Sequence, residues 1–212
     1  MNCRGTETRK KIVKEYKVEP VAHIKLLANQ TKHSDAGATI EDEYYIFTAI
    51  RNSDGQREII QCGMGAARDF LQIIDHPGLP LFNPLKGENV TSSSNRKDPN
   101  IHKKIDDWNA TAKQLYNAIM WLIIAWDAKP DTPLFEFKDE IMKYKKYEPY
   151  DSKIKRVNTV IKNGGKGKTL TEIINAFSKD NNIRDAICDF KLLSDKVEKI
   201  TDNEGNKLKS FF

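Results

Sequence analysis

Residues 59–71 read IIQCGMGAARDFL, an apolar run that passes through Gly-Met-Gly into a helix-like segment. A glycine turn that opens a helix presents unpaired N–H groups, and the helix dipole favours an anion there, so Arg68 and this corner could together cradle a phosphate. A dinucleotide site, however, needs GxGxxG inside a βαβ unit. Here Arg68 stands at the third glycine position, and the two preceding strands read as an antiparallel hairpin. A zinc knuckle needs paired ligands, and Cys62 has no Cys or His two to four residues away. The corner therefore reads as structural, with Cys62 a small buried hydrophobe.

Residues 163–169, NGGKGKT, end as a P-loop ends, but Lys162 occupies the position of its required first glycine and the segment before it reads as helix rather than strand. The simpler reading is a helix connection in which Thr169 or Thr171 caps the next helix and Glu172 lies in its first turn. Asp131, Glu136 and Lys138 have the letters of a metal-dependent nuclease centre, with Mg²⁺ on the carboxylates and the lysine steadying a water. Their spacing is too short for two neighbouring strands, and FEFKDEIMKY reads as a helix starting after Pro133. The four histidines, His23, His33, His76 and His102, lack metal-ligand spacing, and no Ser or Cys sits in a nucleophile elbow.

Charge interleaved with aromatics gives the strongest functional signal. Residues 141–168 contain nine basic side chains (Lys143, Lys145, Lys146, Lys153, Lys155, Arg156, Lys162, Lys166 and Lys168) against Glu148 and Asp151, a net +7 in a chain of net +5. Tyr144, Tyr147 and Tyr150 lie among the first lysines, where they could stack on bases while the lysines and the glycine-rich loop meet phosphates. The competing reading is a solvated face of a lysine-rich protein.

These residues must be carried by a folded scaffold. With 212 residues, 39% apolar and 31% charged, the chain is rich enough in apolar side chains for one large domain or two small ones. Three scattered cysteines without CxxC suggest free thiols in a reducing compartment. The N-terminal segment is charged and has no secretory pattern, and the longest apolar run, residues 118–126, is far short of the ~20 a spanning helix needs. A soluble, cytoplasmic protein with no membrane partner is expected.

A short helix over residues 6–16 is expected to precede a strand over 21–28 and a loop over 29–39. Residues 43–51 and 56–62 flank the turn sequence Asn-Ser-Asp-Gly and form a hairpin, which runs into an amphipathic helix over 65–74. Three prolines make residues 76–85 an extended strap, and residues 86–100 are the most polar stretch. Ile105, Trp108, Ala112, Leu115, Ile119, Leu122 and Trp126 form one stripe of a long helix over 101–127, apolar all round beyond Ala118. Further helices are expected over 134–147, 151–162, 169–178 and 182–200.

The sequence thus predicts an α+β protein: a small N-terminal antiparallel sheet with a ββα unit, then a C-terminal helical bundle. Its divisions are an α+β region over 1–85, a polar linker or loop over 86–100 and a helical region over 101–212 packed with the first as one unit. The leading functional expectation is non-enzymatic binding of nucleic acid or a nucleoprotein through Lys143–Lys168, with no cofactor. Its alternatives are a nuclease using Asp131, Glu136, Lys138 and Mg²⁺, and a protein-binding regulator or inhibitor that uses the strap and exposed aromatics.

Overall fold

The computed structural model describes residues 1–86, 107–201 and 204–212. It shows a mixed α+β chain in two compact units, Met1–Pro84 and Leu85–Phe212.

In the first unit, α1 (Thr6–Glu15) leads without a loop into β1 (Tyr16–Lys25). The strand therefore begins earlier than expected and runs through Pro20, where its register against β4 (Glu43–Arg51) shifts. The sheet order β1-β4-β5 makes β1 an edge, the position in which a strand tolerates a residue without an N–H. β4 and β5 (Arg57–Gly63) form the expected hairpin, with Tyr45 opposite Cys62 and Phe47 opposite Ile60. α2 (Met64–Ile73) follows at once and completes the ββα unit. Residues 29–39, expected to be a loop, instead contain a small ribbon, β2 (Lys32–His33) paired with β3 (Thr39–Ile40). Gly37, at φ +90°, makes its turn, and buried Ser34 receives the Ala36 N–H on its hydroxyl.

The strap covers part of the β1 edge. Lys25 N–H donates to Phe82 O and Phe82 N–H donates to His23 O, so one strap residue continues the ladder and buries its ring. Under the sheet, Phe47, Ile60, Cys62, Ala67 and Phe70 are fully buried, and the rings of Phe47 and Phe70 lie 5.3 Å apart. Arg9 of α1 is buried as well; its guanidinium donates to Cys3 O and to Asp69 of α2, and the hydrogen bonds that Asp69 accepts from Arg9 and from the Thr6 hydroxyl hold its carboxyl below the usual range.

The second unit surrounds α3 (Ala110–Ala125). Asn109 caps this helix by accepting the N–H groups of Thr111 and Ala112, so Trp108 lies before the helix rather than within it; residues 101–106 of the expected helix fall outside the described residues. The side chains from Ala118 to Ile124 are all buried, and α4 (Pro133–Lys143), α5 (Asp151–Gly164), α6 (Leu170–Phe177) and α7 (Lys191–Val197) all contact α3. The helix expected over 182–200 is broken. Ile183 instead pairs with Leu85, a 3-10 turn covers Asp185–Ile187, and the Asp189 carboxylate takes the Lys191 N–H where α7 begins. Among the described residues, no helix is long and apolar enough to cross a membrane.

Replacing Phe70 by Ala should cost about 3–5 kcal/mol in a denaturant melt, because it empties the centre of the first core, whereas exposed Arg68→Ala should change stability by less than about 0.5 kcal/mol. Equal midpoints for the two variants would contradict this packing.

Candidate nucleic-acid interface

The basic, tyrosine-bearing segment is an elbow followed by a ridge. α4 stops at Lys143, with Tyr144 as its C-cap, earlier than the expected end at 147; Pro149 follows, and it disfavours helix at the residue before it. Tyr150 is the N-cap of α5. Tyr144, Tyr147 and Tyr150 therefore belong to a connection between helices, and these residues are 48%, 70% and 77% exposed.

Several contacts fix this elbow against the start of α3. Asn109 N–H donates to Lys145 O at 2.8 Å, the Thr111 hydroxyl lies 3.3 Å from Glu148, and Lys146 pairs with Asp107. Lys196 of α7 reaches both acids of the segment, Glu148 at 3.1 Å and Asp151 at 3.6 Å. The hydrogen bond between Lys196 and Glu148 lowers the carboxyl's pKa and raises that of the ammonium. Sequence reasoning missed Lys196, which lies 48 residues beyond Glu148 and belongs to no motif.

α5 turns Ile154, Val157, Asn158 and Ile161 inward, and Asn158 holds the chain's last residues by donating to Lys209 O and accepting Phe211 N–H. Lys155, Arg156 and Lys162 thereby fall on the outward face, and exposed Lys166 and Lys168 continue past the helix end. Of the nine basic residues, Lys146 and Lys153 are ion-paired, to Asp107 and Glu140; the other seven have no ion pair among the described residues. Lys143 and Lys153 lie over the Tyr144 ring, Lys153 also over Tyr150, and Lys145 over Trp108, which packs against Tyr116.

The other candidates are not assembled in the same way. At residues 163–169, the N–H groups of Gly165, Gly167, Lys168 and Thr169 donate to Ile161 O, Lys162 O, Gly165 O and Glu172, so they are not directed at a phosphate. Thr169 and Glu172 form a capping box. Gly164 is required by packing, since a Cβ there would lie 2.5 Å from the Trp126 ring. The Gly63-Met64-Gly65 corner does leave the start of α2 without a side-chain cap, beside a cavity of about 340 Å³. Glu41, Asp42 and Glu43 line that cavity, and their charges oppose an anion.

Glu136 is exposed on α4, whereas Lys138, two residues on and 5% exposed, turns into the interior beside Asp139. Burial lowers the Lys138 pKa and Asp139 opposes the shift. Asp131 precedes the helix and is exposed, as Glu136 is, so the buried Lys138 is set apart from the two carboxylates. Among the described residues no group of three His, Cys, Asp or Glu side chains could hold a metal. His23 contacts Leu79 O through Nδ1 at 3.2 Å, and His76 accepts the Gly78 N–H; His102 lies outside the described residues.

The fold and surface define an α+β protein with a basic aromatic elbow on its helical unit. The chain belongs to the family described as uncharacterised conserved protein UCP028583, whose model matches residues 1–202. No curated protein and no solved structure matches it significantly.

Gly164→Ala should cost about 1–3 kcal/mol, because the new methyl has to displace Trp126, while Gly167→Asn, at a left-handed position with open space, should cost less than about 1 kcal/mol. Thermal melts of the two variants check this. Cys3 and Cys62 are fully buried, and burial raises both thiol pKa values, so neither should react with a thiol reagent in the native protein at pH 8; Cys188, half-buried with its pKa pushed up to about 11, should react slowly. Rapid labelling of Cys62 in folded protein would contradict its placement.

Proposed function

We propose that this protein binds nucleic acid through the surface formed by Lys143–Lys168. The observation that carries the reading is the concentration of seven basic side chains without ion-pair partners among the described residues on one elbow, the helix after it and the loop beyond, while the two acids of the segment are engaged by Lys196. A folded surface gains nothing in stability from such crowding of like charge, whereas a polyphosphate backbone meeting it releases counterions and binds. The elbow supplies rigid attachment and α5 a straight support, so the cations form a track on a fixed scaffold.

Affinity should fall steeply with salt. Reversing Lys155, Arg156 and Lys162 to Glu should remove binding at ~0.15 M salt, and replacing them with Gln should flatten the slope of log K against log salt by about 2, since each lost contact to a single strand contributes roughly 0.7. Reversal of Lys10, Lys11 and Lys14, exposed on α1, is the control and should leave most of the affinity. Electrophoretic shifts across a salt series measure both. Equal losses from the two triple variants would mean diffuse attraction, and no binding by the unaltered protein at low salt would refute the reading.

A further inference from the structure

We infer that the nucleic acid held here is single-stranded, with its bases stacked on Tyr144, Tyr147 and Tyr150 at the elbow and its phosphates following the basic face of α5; this rests on the nucleic-acid reading above. The three tyrosines account for all the exposed large aromatic side chains among the described residues, and they fall within seven consecutive positions. Clustered exposed rings of this kind mark a recognition surface rather than scattered surface apolarity. The turn that carries them is ordered by its own hydrogen bonding, with Tyr147 N–H donating to Tyr144 O at 2.9 Å and Lys153 N–H to Tyr150 O at 2.9 Å. The Lys153 ammonium, held by Glu140, lies 5.9 Å from the Tyr144 ring centre and 5.8 Å from that of Tyr150, so it ties the two rings to the start of α5, and the phosphates fall to Lys143, Lys145 and Lys155 on either side, which have no ion pair among the described residues.

Exposed ring faces select for unpaired bases. In a duplex the faces of the bases are occupied by their neighbours and only their edges show in the grooves, so these rings would have nothing to stack on. In a single strand every base offers a face, and a tyrosine meets any of the four. The outward face of α5 adds Lys155, Arg156 and Lys162 over a helix of 14 residues, about 21 Å long, which extends the track beyond the three rings. An anionic membrane is the competing partner for lysines and tyrosines. It needs apolar side chains to enter the interface, and the exposed positions of α5, Asp151, Ser152, Lys155, Arg156, Thr159, Lys162, Asn163 and Gly164, include none.

The experiment compares ligands of about eight nucleotides, within the size range of single-strand sites: a dT strand, a U strand, an abasic strand of the same backbone, a duplex, and vesicles containing phosphatidylserine. Fluorescence anisotropy and co-sedimentation at low salt follow the unaltered protein and the Tyr147→Ala, Tyr150→Ala and Tyr147→Phe variants, whose folding is checked by thermal melts. The dT or U strand should bind at least about tenfold tighter than the abasic strand, each Ala variant should lose roughly 5- to 150-fold on the base-bearing strand and little on the abasic one, and Phe should retain affinity. Equal or tighter binding of the duplex, or equal loss on base-bearing and abasic strands, overturns stacking and leaves nucleic-acid binding standing. Binding to vesicles alone, or to nothing, overturns both.

Discussion

A helical stretch that is buried on every side has to be enclosed, and the C-terminal half of α3 is such a stretch. From Ala118 to Ile124 it offers no polar face to water, so α4, α5, α6 and α7 must each turn apolar residues toward it. The large polar-edged ring in this buried stretch, Trp121, is accommodated because its indole N–H donates to Ile187 O at 3.2 Å. Once α5 is committed by Ile154, Val157 and Ile161, Lys155 and Lys162 face outward, and exposed Arg156 lies over the Phe137 ring of α4 at 4.8 Å. The basic face is in this sense the outer side of the core's demand.

The elbow obeys a second constraint, that of polar groups at helix ends. α3 begins where Asn109 caps it, and the backbone N–H of the same residue reaches Lys145 O, so one residue both starts the central helix and ties down the tyrosine-bearing turn. Lys196 then lies beside both carboxylates and offsets one of their two negative charges in the positive field. Each of these exposed or half-exposed ion pairs contributes little to stability. Their consequence is electrostatic: Lys153 and Asp151 at the start of α5 are paired with Glu140 and Lys196, and the charges of Lys155, Arg156 and Lys162 beyond them have no ion pair among the described residues.

Much of this was legible in the sequence, and the failures have physical causes. The hairpin announced itself through β-branched and aromatic residues around Asn52-Ser53-Asp54-Gly55, and the ββα unit followed from the apolar spacing after Gly65. β1 was harder, because Pro20 argues against a strand unless the strand is an edge, which only the sheet order reveals. The expected helix over 134–147 overran because Tyr144 and Tyr147 keep helical spacing; Pro149 was the stop signal, and its effect reached further back than one residue. In the candidate site, charge and tyrosines could be counted from the sequence, but the pairing of Lys196 with Glu148 and Asp151 is a product of the tertiary fold alone.

The central claim concerns location, and amide chemical shifts test it most directly. Titrating isotopically labelled protein with a short dT strand should move the amide signals of residues 143–156 and of Lys162, Lys166 and Lys168 together and saturably, with signals of the first unit, including Gly63–Ala66 at its glycine corner, left in place. Shifts concentrated at that corner, or spread evenly over the lysines of both units, would contradict the account.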